Sequence, residues 1–123
     1  MAAQQPQGIK RTDLQQHDLR VAGYEVVQTR VDLDPEAPAI MHTHPGEGVV
    51  FILEGSLEYE LEGEPTRTFT TGQALTVPAG APHAVRNVGT GTAAELATHV
   101  VEKGKPLVAL VESGGNSDRG DRS

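Results

Sequence analysis

Hydrophobic and polar residues alternate with a period of two along much of the chain, which is the spacing of a β-strand rather than of a helix. Between residues 27 and 33, Val, Thr, Val and Leu alternate with Gln, Arg and Asp, and between residues 57 and 61, Leu, Tyr and Leu alternate with Glu. Four further segments are apolar runs typical of buried strands: 51–53, 75–77, 93–101 and 107–111.

Glycine and proline interrupt these runs at short intervals, which is typical of strands joined by tight turns. Many short strands with regular turns predict an all-β fold, an antiparallel sandwich or barrel. The one segment that favours a helix is Thr12–Leu19, which has room for one or two turns. No internal repeat is present.

The length of 123 residues is that of one domain. Aromatic residues make up 3% of the chain, so the core and any pocket must be lined by aliphatic side chains. Ten basic and 17 acidic residues give a formal charge of −7, which argues against nucleic acid or an anionic membrane as a partner. The absence of cysteine excludes a disulfide scaffold and a thiolate site, and no apolar run approaches the roughly 20 residues of a membrane span.

Both ends of the chain are polar. We predict a flexible segment at 1–8, a folded domain at 9–111 and a disordered tail at 112–123. The tripeptide Arg119-Gly120-Asp121 lies in this tail. Because the tail is composed largely of these residue types, we attribute the tripeptide to chance. The polar start fits a secreted or periplasmic protein whose signal peptide has been removed, and equally a cytoplasmic protein.

Three of the five histidines form an ordered pattern. His42 and His44 precede the turn at 45–46, and His83 follows the turn at 78–82. On a strand, residues two apart project from the same face, with Cα atoms about 6.5 Å apart. Two such imidazoles and a third from a neighbouring strand can hold one ion at about 2.0–2.1 Å, and neutral imidazole suits Zn, Fe, Ni or Cu. The alternative is a His-x-His pair on a polar face that binds no metal.

The residues around these histidines resemble the two motifs of the cupin family. The first motif has a His-x-His pair, a Glu and, after six more residues, a Gly; His42, His44 and Gly55 match the pair and the glycine. The second motif is matched at every position, by Gly72, Pro78, Gly80, His83 and Asn87. The resemblance covers residues 26–101, with the short spacing between motifs of small single-domain cupins. It implies a small antiparallel β-barrel with jelly-roll topology, a double-stranded β-helix that holds one small ligand.

The glutamate of the first motif falls on Gly48, which has no side chain. Glu47 would face the opposite way on a regular strand, although a bulge at Gly46 and Gly48 would turn it inward. The expected site is therefore formed by histidines alone. The predicted metal ligands are His42, His44 and His83.

The resemblance to the cupin family also implies a range of functions. Thiol and diketone dioxygenases of this superfamily resemble the expected site in using three His on non-haem iron. One divalent transition metal among Fe, Zn, Ni, Cu and Mn is therefore expected, with Fe or Zn favoured. Without the carboxylate the ion keeps its full charge and an additional open position, which favours an anionic chelating substrate.

Three functions remain open at this stage. The first is a metal-dependent enzyme, with an oxygenase-like reaction of a small molecule at a three-histidine iron site. The second is a non-catalytic cupin that binds a small ligand or a metal as a sensor or carrier, and the third is a sugar isomerase or epimerase. No catalytic acid or base is assigned, and Gly48 is also compatible with a decayed, metal-free site.

The remaining features carry weaker expectations. We expect His17 to be solvated and His99 to be a surface or hydrogen-bonded strand residue, with a role inside the barrel beside the metal or in acid–base chemistry as the alternative. A ridge of glutamates predicts a solvated outer face; its members are Glu54, Glu58, Glu60, Glu62 and Glu64. Small cupins pair, so we expect a homodimer, with Leu107–Val111 either at its interface or closing the barrel of its own chain.

Overall fold

The computed structural model describes residues 7–111, and within that range the chain forms ten β-strands and no helix. Of the predicted end segments 1–8 and 112–123, residues 1–6 and the whole of 112–123, with the Arg-Gly-Asp tripeptide, lie outside the described residues. In chain order the strands are β1 (Ile9–Asp18), β2 (Tyr24–Leu33), β3 (His42–Thr43), β4 (Gly48–Glu54), β5 (Ser56–Leu61), β6 (Arg67–Thr70), β7 (Ala74–Val77), β8 (His83–Asn87), β9 (Ala93–Glu102) and β10 (Ala109–Leu110).

The strands form two five-stranded antiparallel sheets. The order is β1-β2-β9-β4-β7 in the first sheet and β10-β3-β8-β5-β6 in the second. Neighbours in each sheet are mostly distant in sequence, as the crossings of a jelly roll require. The predicted all-β jelly roll is confirmed, although strand pairing among the described residues leaves the two sheets open rather than closing them into one continuous barrel.

The core lies between the sheets and is built from aliphatic side chains at the alternate positions that the sequence indicated. In β4 the alternation is visible directly, because Val50 and Ile52 are buried while Val49 and Phe51 are exposed. The buried cluster comprises Val31, Leu33, Ala37, Val50, Ile52, Leu57, Tyr59, Phe69, Val77, Ala93 and Ala97. Several of these residues, including Val31, Val50 and Val77, also line the cavity that the histidines face.

The helix predicted at Thr12–Leu19 is wrong, because the segment from Thr12 to Asp18 belongs to β1 and Leu19 follows the strand. β1 pairs with β2 from Ile9↔Leu33 to Asp18↔Glu25, with a register shift between Asp13 and Gln15. The strand lies at the edge of its sheet and most of its residues are exposed, so no alternation of buried and polar residues marks it. The bulge also shifts the phase of any such pattern.

The segment Leu107–Val111 folds against its own chain, which was one of the two expectations for it. In β10, Ala109 pairs with Thr43 and Leu110 with His42, and the Val111 N–H donates to the Met41 carbonyl at 3.0 Å. β10 therefore forms the edge of the second sheet next to the histidine pair. No helix in the described part of the chain has the length and apolar character to span a bilayer.

Candidate metal centre

The structure brings the three predicted ligands together on the second sheet. β3 pairs with β8 so that His42 lies directly opposite His83, and His44 follows the end of β3. The centroid of the His42 ring lies 4.2 Å from the centroid of the His83 ring and 4.9 Å from that of the His44 ring. The centroids of the His44 and His83 rings are 5.1 Å apart. One nitrogen from each ring lies within 4.8 Å of the others, which is the arrangement of a facial set of ligands.

Backbone carbonyls fix the orientation of all three rings. Nδ1 of His42 bonds the Ile40 carbonyl at 2.8 Å, and Nδ1 of His83 bonds the Ala81 carbonyl at 2.9 Å. Nδ1 of His44 reaches the Leu107 carbonyl at 2.8 Å, just before β10. A carbonyl accepts, so Nδ1 carries the proton and Nε2 of each ring keeps its lone pair for an ion.

The turn at 78–82 holds His44 as well as His83. The Gly80 N–H donates to the His44 carbonyl at 2.9 Å, while the Ala81 carbonyl receives His83 Nδ1. The second cupin-like motif therefore positions two of the predicted ligands through one turn. Its last residue, Asn87, is structural, because its side-chain amide bonds the carbonyls of Leu33 and Gly91 away from the site.

Burial keeps the ligand histidines uncharged. Desolvation lowers the pKa of His42 to about 4 and that of His44 to about 3, and it also lowers the pKa of His83. The neighbouring imidazoles add to the effect for His42 and His44, because two positive rings this close repel each other. Neutral, convergent imidazoles at neutral pH are the donor set that a divalent transition metal prefers, so these residues fit such an ion.

The structure also shows that no neighbouring glutamate takes the place of the one missing at Gly48. Gly48 is buried in β4, and Glu47 is exposed, so Glu47 does not turn inward to replace the ligand. The Glu47 carbonyl instead accepts the Val100 N–H at 3.2 Å, which anchors this turn to β9.

His99 lies inside the fold beside the three histidines, which was the alternative expectation for it, and the favoured surface or hydrogen-bonded strand position is not observed. It is only 3% exposed, its ring centroid lies 4.1 Å from that of His44, and it faces the same cavity. Burial, with Arg11 as the next cause, lowers the pKa of His99 to about 4. The signal available in the sequence was the alternation in β9, in which Ala97, His99 and Val101 share the buried face. His17, by contrast, is exposed as predicted.

A cavity of about 150 Å³ opens beside the histidines, between the two sheets. Its walls are mostly aliphatic, with Val31, Val50 and Val85 among the lining residues, as the composition indicated. Two charged residues also line it, Arg11 and Glu95. The cavity thus joins an apolar wall to a small number of polar groups, which is typical of a ligand site.

Glu95 is buried on the cavity wall and accepts a hydrogen bond from the Tyr59 hydroxyl. Desolvation raises the pKa of Glu95 to about 6, and it raises the pKa of Tyr59 well above the usual range. The Tyr59 ring is stacked parallel to that of His83 at 6.4 Å between centroids. No pattern in the sequence singled out this pair, because both residues occupy ordinary inward-facing strand positions.

Comparisons with known proteins agree with this architecture. A family model described as "Cupin domain" matches residues 29–105. Among curated proteins, the dimethylsulfoniopropionate lyase DddQ of Ruegeria pomeroyi is 44% identical over 45 residues, which cover 37% of this chain and 22% of that protein. Germin-like protein 1 of Brassica napus is 35% identical over 81 residues, which cover 62% of this chain and 39% of the relative. The chain therefore matches less than half the length of either relative.

Solved structures show the same fold. The crystal structure of DddQ superposes with a TM-score of 0.64 at 26% identity, covering 74% of this chain and 45% of DddQ. The polyketide cyclase RemF of Streptomyces resistomycificus has a TM-score of 0.68 at 24% identity, covering 89% of this chain and 75% of that protein.

Proposed function

Because the chain belongs to the cupin family, we propose that it is a metal-dependent enzyme acting on a small carboxylate, with one divalent transition metal held by His42, His44 and His83. The observation that carries this proposal is the cluster of three imidazoles whose ligand nitrogens lie within 4.8 Å of one another beside a mostly aliphatic cavity. Their Nδ1 atoms are all committed to backbone carbonyls, so the site is preorganised for an ion.

The substrate class follows from the charge and size of the cavity. Arg11 lines the cavity, and its positive charge lowers the pKa of His42, Glu95 and His99. A divalent ion with three neutral ligands adds a second positive centre. A small carboxylate that reaches both centres is the ligand that this arrangement favours, and the substrate named in DddQ is itself a carboxylate.

The residues that line the cavity would exclude water from a bound carboxylate and hold a proton beside it. When bound, the ion supplies Lewis-acid polarisation and, if it is iron, access to oxygen chemistry. The aliphatic wall around Val31, Val50 and Val85 excludes water from the bound carbon skeleton. Glu95 and Tyr59 hold one exchangeable proton between them at the cavity wall, where Glu95 Oε1 accepts from the Tyr59 hydroxyl.

We assign an oxygenase-like reaction at iron as the first candidate, because three neutral histidines leave several positions of the ion open. A lyase reaction that needs no oxygen is the second candidate, favoured by the 44% identity to the DddQ segment. The two are separated by the need for O₂. Protein loaded with Fe²⁺ or with Zn²⁺ is incubated with a panel of two- to five-carbon carboxylates, aerobically and anaerobically, while O₂ uptake and products are followed.

Each result of that assay has a distinct meaning. Turnover that consumes O₂ supports the oxygenase, and turnover without O₂ supports the lyase. Carboxylate binding with no turnover of any panel member by either metal form favours the non-catalytic carrier or sensor. A parent protein that takes up no transition metal overturns the proposal as a whole.

A further inference from the structure

The ring of His99 fills the space that a side chain at position 48 would need. Gly48 and His99 face each other across the β4–β9 ladder, in which they are Cα partners. A Cβ atom placed on Gly48 would lie 2.8 Å from His99 Nε2 and 2.9 Å from His99 Cδ2. Real Cβ atoms do not approach other heavy atoms so closely, so any side chain at position 48 would displace the imidazole.

The glycine is needed for this space and not for its backbone. Gly48 is absent from the glycines with positive φ among the described residues, which include Gly55 at 82°. It lies in a regular strand that pairs on both sides, with Val77 and with His99. The backbone at position 48 therefore accepts any residue, and only the His99 ring excludes one.

His99 has the surroundings of a group built for a ligand. The side chain is 97% buried, and within the described part of the chain its Nδ1 has no hydrogen-bond partner. Its ring lies against His44, inside the cavity that the three predicted ligands line. An imidazole carried into the interior without a partner loses its hydration with no compensation in the protein itself, which is costly unless something else binds it.

We propose that His99 is the fourth metal ligand, taking the place of the carboxylate that Gly48 lacks. The proposal rests on the metal site of the preceding subsection and extends it from one sheet to both. His99 lies outside the group of three whose nitrogens are within 4.8 Å of one another. Its ring therefore moves toward His44 when an ion enters, and the unpartnered nitrogen shows that no hydrogen bond opposes that movement.

A fourth imidazole changes the preference of the site. Four neutral nitrogen ligands favour Zn²⁺, Cu²⁺ or Ni²⁺, whereas a carboxylate favours hard ions such as Mn²⁺. The ion also keeps its full charge, because no ligand is anionic. The exchange of Glu for His thus tunes the metal without closing the cavity.

The first test compares Zn²⁺ affinity, by competition with a chelating dye, in the parent, His99→Ala, His99→Asn and His17→Ala. We expect both His99 variants to bind at least about 10-fold more weakly, and His17→Ala, which changes an exposed histidine, to match the parent. The visible spectrum of bound Co²⁺ should also change in both His99 variants. Retention of the parent's affinity and Co²⁺ spectrum in the folded His99 variants overturns the proposal.

A second test exchanges the two ligands. Gly48→Glu alone should weaken Zn²⁺ binding, because its Cβ collides with the His99 ring. Gly48→Glu combined with His99→Ala removes the collision, so we expect it to bind Mn²⁺ at least about 10-fold more tightly than His99→Ala alone does. A double variant that is no better than His99→Ala for either ion would show that the two side chains do not share one ligand position.

Failure of this inference is distinguishable from failure of the metal site itself. If the parent binds Zn²⁺ and His83→Ala does not, the three-histidine site stands whatever His99 does. If the parent and His83→Ala bind equally weakly, the site fails and the fourth ligand fails with it.

Discussion

At the scale of single residues, each of the three predicted ligands pairs its Nδ1 with a backbone carbonyl. His83 combines such a bond with a position opposite His42, so it closes the facial set. We expect His83→Ala to lower the affinity for Zn²⁺ by more than about 100-fold, since a ligand matters more than the outer-shell contacts that are worth 10- to 100-fold. Isothermal calorimetry measures the loss, and circular dichroism verifies that the strands remain. Binding close to that of the parent would mean that the ligand set is wrong.

The depressed histidine pKa values predict a wide pH range for metal binding. Protons compete with an ion only when the ligands protonate, and burial lowers the pKa of His42 to about 4 and that of His44 to about 3. We expect the affinity for Zn²⁺ to stay nearly constant from pH 7 to about pH 5 and to fall as the pH drops through about 4. A decline beginning near pH 6.5 would show that these rings are solvated instead.

Glu95 makes the stability of the fold depend on pH, because the protonated carboxyl favours the folded state. Burial raises the pKa of the Glu95 carboxyl from its ordinary 4.5 to about 6, so the folded state binds the proton more tightly than the unfolded chain. The resulting stabilisation is complete below about pH 4.5 and is lost as the pH rises through about 6. Relative to the parent, Glu95→Gln should therefore gain about 1 kcal/mol of unfolding free energy between pH 5 and pH 8. Urea titrations at both pH values measure this gain, and an unchanged difference contradicts the raised pKa.

At the scale of the elements, β10 and the residues just before it support the candidate metal centre. The carbonyl of Leu107, just before β10, receives His44 Nδ1, and β10 pairs with β3. A chain ending at Lys105 should keep its strand content but lose about 10- to 100-fold in Zn²⁺ affinity, because His44 loses the partner that orients it. A chain ending at Glu112 is the matched control and should bind like the full chain. Equal affinity of the two truncated chains would contradict this role of β10.

The elements also show what the sequence could and could not predict. Strands with one buried face, such as β2 and β5, were visible because alternation records burial directly. β1 was not, because an edge strand with a bulge and mostly exposed residues carries no such alternation. The three histidines that cluster in the structure were predicted from the spacing of the two motifs. The position of His99 depends on strand register, because only the pairing of β4 with β9 reveals that its ring fills the space beside Gly48.

At the scale of the whole molecule, the four histidines join the two sheets. His42, His44 and His83 belong to the second sheet or its adjoining turn, whereas His99 lies on β9 of the first sheet. An ion bound by all four would therefore cross-link two sheets that share no ladder among the described residues. Binding to the folded state alone stabilises it by about 2.7 kcal/mol at an ion concentration 100 times Kd.

Thermal unfolding tests this cross-link. For a domain of this size, that stabilisation should raise the Tm of the parent by about 10 °C with Zn²⁺ at 100 times Kd, and EDTA should reverse the increase. His83→Ala, which binds more than about 100-fold more weakly, should show an increase of less than about 2 °C at the same ion concentration. At that concentration His99→Ala, which binds at least about 10-fold more weakly, should show about half the parent's increase or less. An equal increase in parent and His99→Ala would show that the ion is held by the second sheet alone, and that the two sheets are joined by their apolar core without help from the metal.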